Sequence, residues 1–134
     1  MRKVLIFTTL MLSGRAMTIA FIPKIGGGQI GDPPMAWAMP LIGDALIGVS
    51  GLLMLVLILK STSSRSWTTL VVWNCIGIWD ALSAFTISQT NPWPDFFMLK
   101  IFGHSMFFIA CSMHVLNLWI LSTLKHKPAL QRAL

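Results

Sequence analysis

The sequence predicts an all-α polytopic membrane protein, a bundle of about four transmembrane helices in a single domain that covers residues 1–134. Hydrophobic residues make up 55% of the chain and charged residues only 10%, whereas a soluble domain carries about 25% charged residues. Four apolar runs each approach the roughly 20 residues that a helix needs to cross a bilayer. Backbone groups in lipid must pair within their own segment, so these runs are expected to be helices rather than open strands.

The four predicted helices cover residues 4–22, 39–59, 67–88 and 96–121, and a basic cytoplasmic tail follows at 122–134. Turn-forming residues separate them. Residues 23–38 are rich in Gly and Pro, residues 60–66 are basic and rich in Ser, and residues 89–95 contain two prolines. The first of these loops is expected to form a flexible cap outside the membrane.

The first apolar run also fits a second interpretation. Arg2 and Lys3 precede an apolar stretch that ends in Ser-Gly-Arg-Ala at positions 13–16, which is the order of a signal peptide with a small residue at its cleavage site. An arginine beside the cut is unusual, and apolar residues resume at Met17, so a retained helix is preferred. Cleavage near residue 16 would leave three helices in the same orientation.

The distribution of basic residues predicts the orientation. Seven of the ten Lys and Arg residues lie at the N-terminus, in the 60–66 loop or in the C-terminal tail. Lys24 lies on the opposite side, and Lys100 lies near that boundary. Because Lys and Arg concentrate on the cytoplasmic side, both termini are predicted to be cytoplasmic, most simply in a bacterial inner membrane. This placement also accounts for the net charge of +6, so nucleic acid is not expected as a partner.

Ionisable side chains in the four predicted helices fall at one depth. Counted from the non-cytoplasmic helix ends, Arg15, Asp44, Asp80 and His104 lie about 8–12 Å deep at 1.5 Å per residue, and Lys100 about 6 Å deep. Charged groups inside a bilayer are costly and usually face the interior of a bundle. The predicted inward faces are Asp44 with Gly48 and Gly51, Asp80 with Gly77, Ser83 and Ala84, and Arg15 with Thr8, Met11 and Thr18.

Three roles for this polar layer stay open. An Arg15–aspartate pair could fix the helices in register, since breaking a buried pair is costly. The layer could bind a ligand or an ion. Asp44, Asp80 and His104 could also relay protons, because histidine titrates near neutral pH.

Other patterns indicate chemistry only weakly. Cys111 and His114 lie three residues apart on one helical face, and Cys75 is expected nearby, but a zinc or copper site needs further ligands that are not evident. His104 and His114 are about 15 Å apart along one helix, too far to clamp a haem iron. We therefore expect no metal, no cofactor and no catalytic residues, and a function other than that of an enzyme.

Short motifs carry a resemblance over about residues 20–122. They are Ile22-Pro23, Gly43-Asp44-Ala45-Leu46-Ile47-Gly48, Asn74, Gly77, Asp80-Ala81-Leu82, His114 and Leu116. On these residues the chain resembles a group of small uncharacterised bacterial four-helix integral membrane proteins, with Gly-Asp-x-x-x-Gly in helix two and Gly-x-x-Asp in helix three. Its triple glycine at 26–28 and His104 depart from that pattern. The resemblance implies no activity, and it singles out Asp44, Asp80 and His114 for testing.

These features predict a multi-pass protein of the cell membrane that binds or passes a small solute or a proton through a polar layer near the external face. The alternative is a non-catalytic interaction or assembly subunit of a membrane complex. A holin-like pore former fits less well, because several buried charges suit a lytic pore poorly. The expected partners are the lipid bilayer and either further copies of the chain or a larger membrane complex.

Overall fold

The computed structural model describes residues 1–60, 64–93 and 104–125, without the side chains of Ser64, His104 and Lys125. All elements in these ranges are helical: α1 (Arg2–Ser13), a 3₁₀ segment (Gly14–Lys24), a short 3₁₀ turn (Met35–Trp37), α2 (Ala38–Lys60), α3 (Ser64–Thr90) and α4 (His104–Lys125). Within the described residues, four helical stretches are long and apolar enough to cross a membrane: Arg2–Lys24, Met35–Lys60, Arg65–Thr90 and Ser105–Leu124. The predicted all-α class with four such helices is confirmed to that extent.

The boundaries differ from the predicted ones mainly at three places. Helix three is longer at both ends than the predicted 67–88. Helix four continues through Lys125, so the predicted tail at 122–134 begins at least four residues too early. The predicted start of helix four at residue 96, and Lys100, lie outside the described residues. Apolar and Ser/Thr residues at helix ends blur such boundaries, because they fit a helix as well as a loop.

The first helix is not α-helical throughout, in contrast to the prediction. It changes to 3₁₀ geometry at Gly14 and remains so to Lys24, although 3₁₀ runs rarely exceed three or four residues. The tighter winding alters the angular spacing of side chains. Met11, predicted to share the inward face of Arg15, is therefore 52% exposed, whereas Arg15 lies against the bundle with its side chain only 13% exposed.

The helices form an up-and-down bundle in which each contacts its neighbours: α1 packs on α2 and α4, and α3 packs on α2 and α4. One end, named here the basic end, carries Arg2, Lys60 and Arg65. There the Arg2 guanidinium donates to the carbonyl oxygens of Ile58 (3.1 Å) and Leu59 (2.8 Å). The main apolar core fills this half of the bundle and is formed by Leu5, Leu12, Ile47, Met54, Ile58, Leu70, Trp73, Ile120, Leu121 and Leu124.

The opposite end, named here the aromatic end, is closed by a second apolar cluster. Trp37, Leu41 and Trp93 are buried there, with Phe21 and Phe107 packed against them. The ring centroids of Trp37 and Trp93 lie 5.7 Å apart. This cluster holds the chain on both sides of the Gly-rich loop and places an apolar layer over that end of the bundle.

The Gly-rich loop that was expected to be a flexible cap is folded onto this end. The amide of Gly26 donates to the carbonyl oxygen of Pro33 (2.9 Å), and Trp93 Nε1 donates to the carbonyl oxygen of Gly31 (3.2 Å). Gly26 and Gly31 have φ angles of 70° and 88°, a backbone region that side-chain-bearing residues rarely adopt. Glycine is therefore what allows the loop to turn back on the bundle.

Candidate functional site

One guanidinium joins two carboxylates inside the bundle. Arg15 comes from the 3₁₀ segment, Asp44 from the second turn of α2 and Asp80 from the middle of α3. Arg15 Nε donates to Asp44 Oδ1 at 2.5 Å, and its Nη2 contacts both Asp44 Oδ1 and Asp80 Oδ2. The side chains of Arg15, Asp44 and Asp80 are 13%, 20% and 8% exposed, so Asp44 is the most accessible of the three. The expected pairing of Arg15 with an aspartate is present, and both aspartates take part.

Glycines bring the backbone directly against these charged groups. A Cβ atom added at Gly43 would overlap the carboxylate of Asp80, and one at Gly48 would overlap the backbone of Arg15 and Ala16. Small residues permit close helix approach where no water fills the gap. The charged cluster is therefore tightly enclosed on the sides formed by α2.

A histidine from α4 completes the cluster. His114 is fully buried, and Arg15 Nη1 lies 3.4 Å from His114 Nε2. A Cβ atom at Gly77 would overlap the imidazole ring, and the ring also packs at 5.2 Å, centroid to centroid, against Trp73. His114 thus occupies a fixed position between α3 and the 3₁₀ segment.

The hydrogen bonds define one tautomer for this histidine. Guanidinium nitrogens only donate, so Nε2 facing Arg15 must be the unprotonated nitrogen. Nδ1 then carries the proton and donates to Asn74 Oδ1 at 2.9 Å. The geometry therefore assigns a neutral Nδ1-H imidazole, by the same logic that sets histidine tautomers in other buried networks.

The network continues from His114 toward the basic end. Asn117 Nδ2 donates to Asn74 Oδ1 at 3.2 Å, Asn74 Nδ2 donates to the Leu70 carbonyl oxygen at 2.8 Å, and the Thr8 hydroxyl donates to Asn117 Oδ1. Asn74 and Asn117 are 1% and 0% exposed. Beyond them lies the main apolar core, and on the other side the aromatic end, so apolar side chains bound the polar network at both ends.

Three residues of the predicted layer, Arg15, Asp44 and Asp80, lie together in the structure. The histidine beside them is His114, whereas the prediction was His104. His104 and His114 lie ten residues apart on α4, which is about 15 Å along the helix axis. Since His114 is level with Arg15, the backbone of His104 lies near the aromatic end and not at the level of Asp80. Cys111 is partly exposed one turn from His114, and Lys100 lies outside the described residues.

The predicted site had His114 only as a secondary candidate and did not include Asn74 or Asn117, while Thr8 was predicted only as part of the inward face of the first helix. No depth was predicted for His114, which entered only as a neighbour of Cys111 and through the family resemblance. A usable signal was present, because Asn74 and Asn117 are amides inside apolar runs, where an unpaired amide is costly. Two such residues on helices that also carry Asp80 and His114 indicate a shared network.

Among residues 1–60, 64–93 and 104–125, no group of three or more His, Cys, Asp or Glu side chains is arranged to hold a metal ion. No protein family, curated protein or solved structure matches the chain. The resemblance to small bacterial four-helix membrane proteins stays a prediction. The site must therefore be interpreted from its own geometry.

Proposed function

We propose that this chain is a multi-pass protein of a bacterial cell membrane that takes up and releases a proton at the Asp44–Asp80 pair. Both termini lie in the cytoplasm in this proposal. The concentration of basic residues at one end of the bundle supports that orientation, because the structure groups Arg2, Lys60 and Arg65 there and basic residues favour the cytoplasmic side. The aromatic end then faces outward.

The observation that carries the proposal is the unequal charge of the cluster. Two carboxylates contact one guanidinium, and His114 presents an unprotonated nitrogen to the same guanidinium. With both aspartates ionised, the cluster would hold one net negative charge in a low-dielectric interior, which is unfavourable. A bound proton removes that charge. A purely structural ion pair would need only one of the two aspartates.

The packing favours a proton over a larger solute. Gly43 and Gly48 place backbone against the charged groups, and His114 is fully buried beside them. A proton needs no cavity, whereas a solute would have to displace these contacts. Asp44 is the most accessible of the three charged side chains, at 20% exposure, so the proton is proposed to enter and leave there.

A second candidate is an assembly subunit in which the cluster only fixes helix register. The same close packing around Gly48 and Gly77 favours it, because buried polar networks can specify one arrangement of helices. In that case the surplus carboxylate would be neutralised permanently. The two candidates differ in whether water and protons reach Asp44 in the folded protein.

Thiol accessibility separates them. Cys75 and Cys111 are first replaced by alanine, and single cysteines are then placed at position 44, at Ala84 as a buried control and at Gln29 as an exposed control. Ala84 is 1% exposed. A membrane-impermeant thiol reagent added from outside is expected to label positions 44 and 29 and to spare position 84. Labelling at 29 alone would contradict the proton site and favour the assembly subunit.

A further inference from the structure

An open groove of about 590 Å³ runs between α2 and α3 in the half of the bundle near the basic end. Met54 and Trp73 form its inner wall, and both are buried in the main apolar core. Trp73 Nε1 donates to Ser50 Oγ at 2.9 Å, so the indole N–H already has an acceptor within the bundle. The inner wall is therefore apolar and fixed in position.

The outer wall changes from polar to apolar along a single face of α3. Arg65, Thr68 and Thr69 line it next to the basic end, followed by Val72 and Ile76. Their spacing of three or four residues keeps them on one helical stripe. From Arg65 to Ile76 the stripe extends about 16 Å, which matches half of a hydrocarbon core about 30 Å thick. The groove therefore has the polarity and the length of one membrane leaflet.

Arg65 supplies charge at the mouth of this groove. Its side chain is exposed, and among the described residues the ion pairs are those of Arg15 with Asp44 and Asp80, so Arg65 has no carboxylate partner there. The Thr69 hydroxyl donates to the Arg65 carbonyl oxygen at 3.0 Å, which directs that hydroxyl toward the helix and not toward a ligand. The Arg65 guanidinium is thus the charged donor at the mouth, and guanidinium groups bind phosphate oxygens in a bidentate manner.

We propose that this groove binds one anionic phospholipid of the inner leaflet. The headgroup phosphate lies against Arg65, and an acyl chain lies along Val72 and Ile76 against Met54. The site is separate from the Arg15 cluster and rests on the membrane insertion and the orientation proposed above. An ordinary annular lipid would contact any apolar face, whereas this groove combines an apolar chain path along α3 with a cation at the end near the headgroups.

Native mass spectrometry of the detergent-solubilised protein tests the site with two added lipids, phosphatidylglycerol and phosphatidylcholine of identical acyl chains. The wild type is expected to retain one phosphatidylglycerol in preference to phosphatidylcholine. Arg65→Gln should reduce that preference about tenfold, the equivalent of the roughly 1.5 kcal/mol that a hydrogen bond to a charged group contributes. Lys60→Gln is the matched control, because it removes an exposed charge at the same end but outside the groove, and its effect should be below about twofold.

A second variant tests the acyl-chain path independently of charge. Ile76→Trp fills the deep end of the groove and should reduce retention of both lipids, while the protein remains monodisperse on size exclusion because Ile76 is 51% exposed. Equal retention of the two lipids by the wild type would overturn the proposal. Equal effects of Arg65→Gln and Lys60→Gln, or displacement of the lipid by inorganic phosphate alone, would overturn it as well.

Discussion

Gly77 lies directly against the imidazole of His114, so close that a Cβ atom at position 77 would overlap the ring atoms Cε1 and Nε2. The contact joins α3 to α4 at the level of Arg15. The absence of a side chain at one residue thus sets the position of a buried polar side chain on another helix. The same kind of contact occurs between Gly43 and Asp80. The position of the charged side chains therefore depends on glycines that make no hydrogen bond or ion pair to them through a side chain.

Gly77→Ala should therefore destabilise the protein. Overpacking of a buried contact costs about 1–3 kcal/mol, and here the ring cannot move without losing its hydrogen bond to Asn74. Thermal unfolding in detergent measures the loss. Gly14→Ala is the control, because a Cβ atom there would meet nothing within 4 Å and its φ is −59°. That substitution should be neutral or stabilising by up to about 1 kcal/mol, and equal losses at positions 14 and 77 would contradict the packing.

Removal of Arg15 should be more damaging than removal of either aspartate. Arg15→Met leaves the buried Asp44–Asp80 pair without its guanidinium, and breaking a buried ion pair costs about 3–5 kcal/mol. Adding Asp44→Asn and Asp80→Asn to Arg15→Met should restore part of the lost stability, since no uncompensated charge remains. Denaturant unfolding of the variants gives the coupling free energy. Strictly additive losses would show that the three side chains do not interact.

Among the amide side chains of the network, Asn74 should be the one whose substitution lowers the stability of the protein most. Asn74→Leu leaves His114 Nδ1 and Asn117 Nδ2 without their shared acceptor, at a cost of about 1–3 kcal/mol for an unsatisfied buried group. Asn91→Leu is the control because the Asn91 side chain is exposed. Nitrogen NMR of the imidazole should also show a proton on Nδ1 of His114 in the wild type. A proton on Nε2 would contradict the hydrogen-bond assignment.

Reporter fusions test the orientation. Fusions before Met1 and after Leu134 should both report a cytoplasmic location, because seven of the ten Lys and Arg residues lie on that side. An external N-terminus on the mature chain, with a cytoplasmic C-terminus, would instead support cleavage near residue 16. An external C-terminus would reverse the bundle and contradict access to Asp44 from outside.

The sequence predicted Arg15, Asp44 and Asp80 as one group because the helices that carry them have clear ends on that side. Pro23, Pro40 and the Asn91-Pro92 step lie near those ends, so counting residues gave sound depths. The predicted start of helix four at residue 96 lies outside the described residues, and the depth of His104 was counted from it. The count therefore selected His104 in place of His114, an error that the ten-residue separation along α4 makes evident.

The change to 3₁₀ geometry at Gly14 could not be predicted from residue types. The segment Gly14–Lys24 continues the apolar run of α1, so its residue types do not distinguish α-helical from 3₁₀ geometry. The close contact of Gly48 with the backbone of Ala16 is a tertiary feature. This contact exists only once α2 and the first helix are packed together. The inward face of residues 8–18 was therefore predicted correctly for Thr8 and Arg15 but not for Met11.

Infrared spectroscopy of protein labelled with carboxyl-¹³C aspartate tests most directly whether one of Asp44 and Asp80 carries a proton. The chain has four aspartates, and at neutral pH the wild type should show one protonated carboxyl band that disappears in both Asp44→Asn and Asp80→Asn, because one carboxylate then balances Arg15. Asp32→Asn, a loop aspartate, should leave the band unchanged, and so should Lys100→Met. Full ionisation of all four aspartates in the wild type, or a protonated band that appears only after Lys100→Met, would contradict proton binding at this pair.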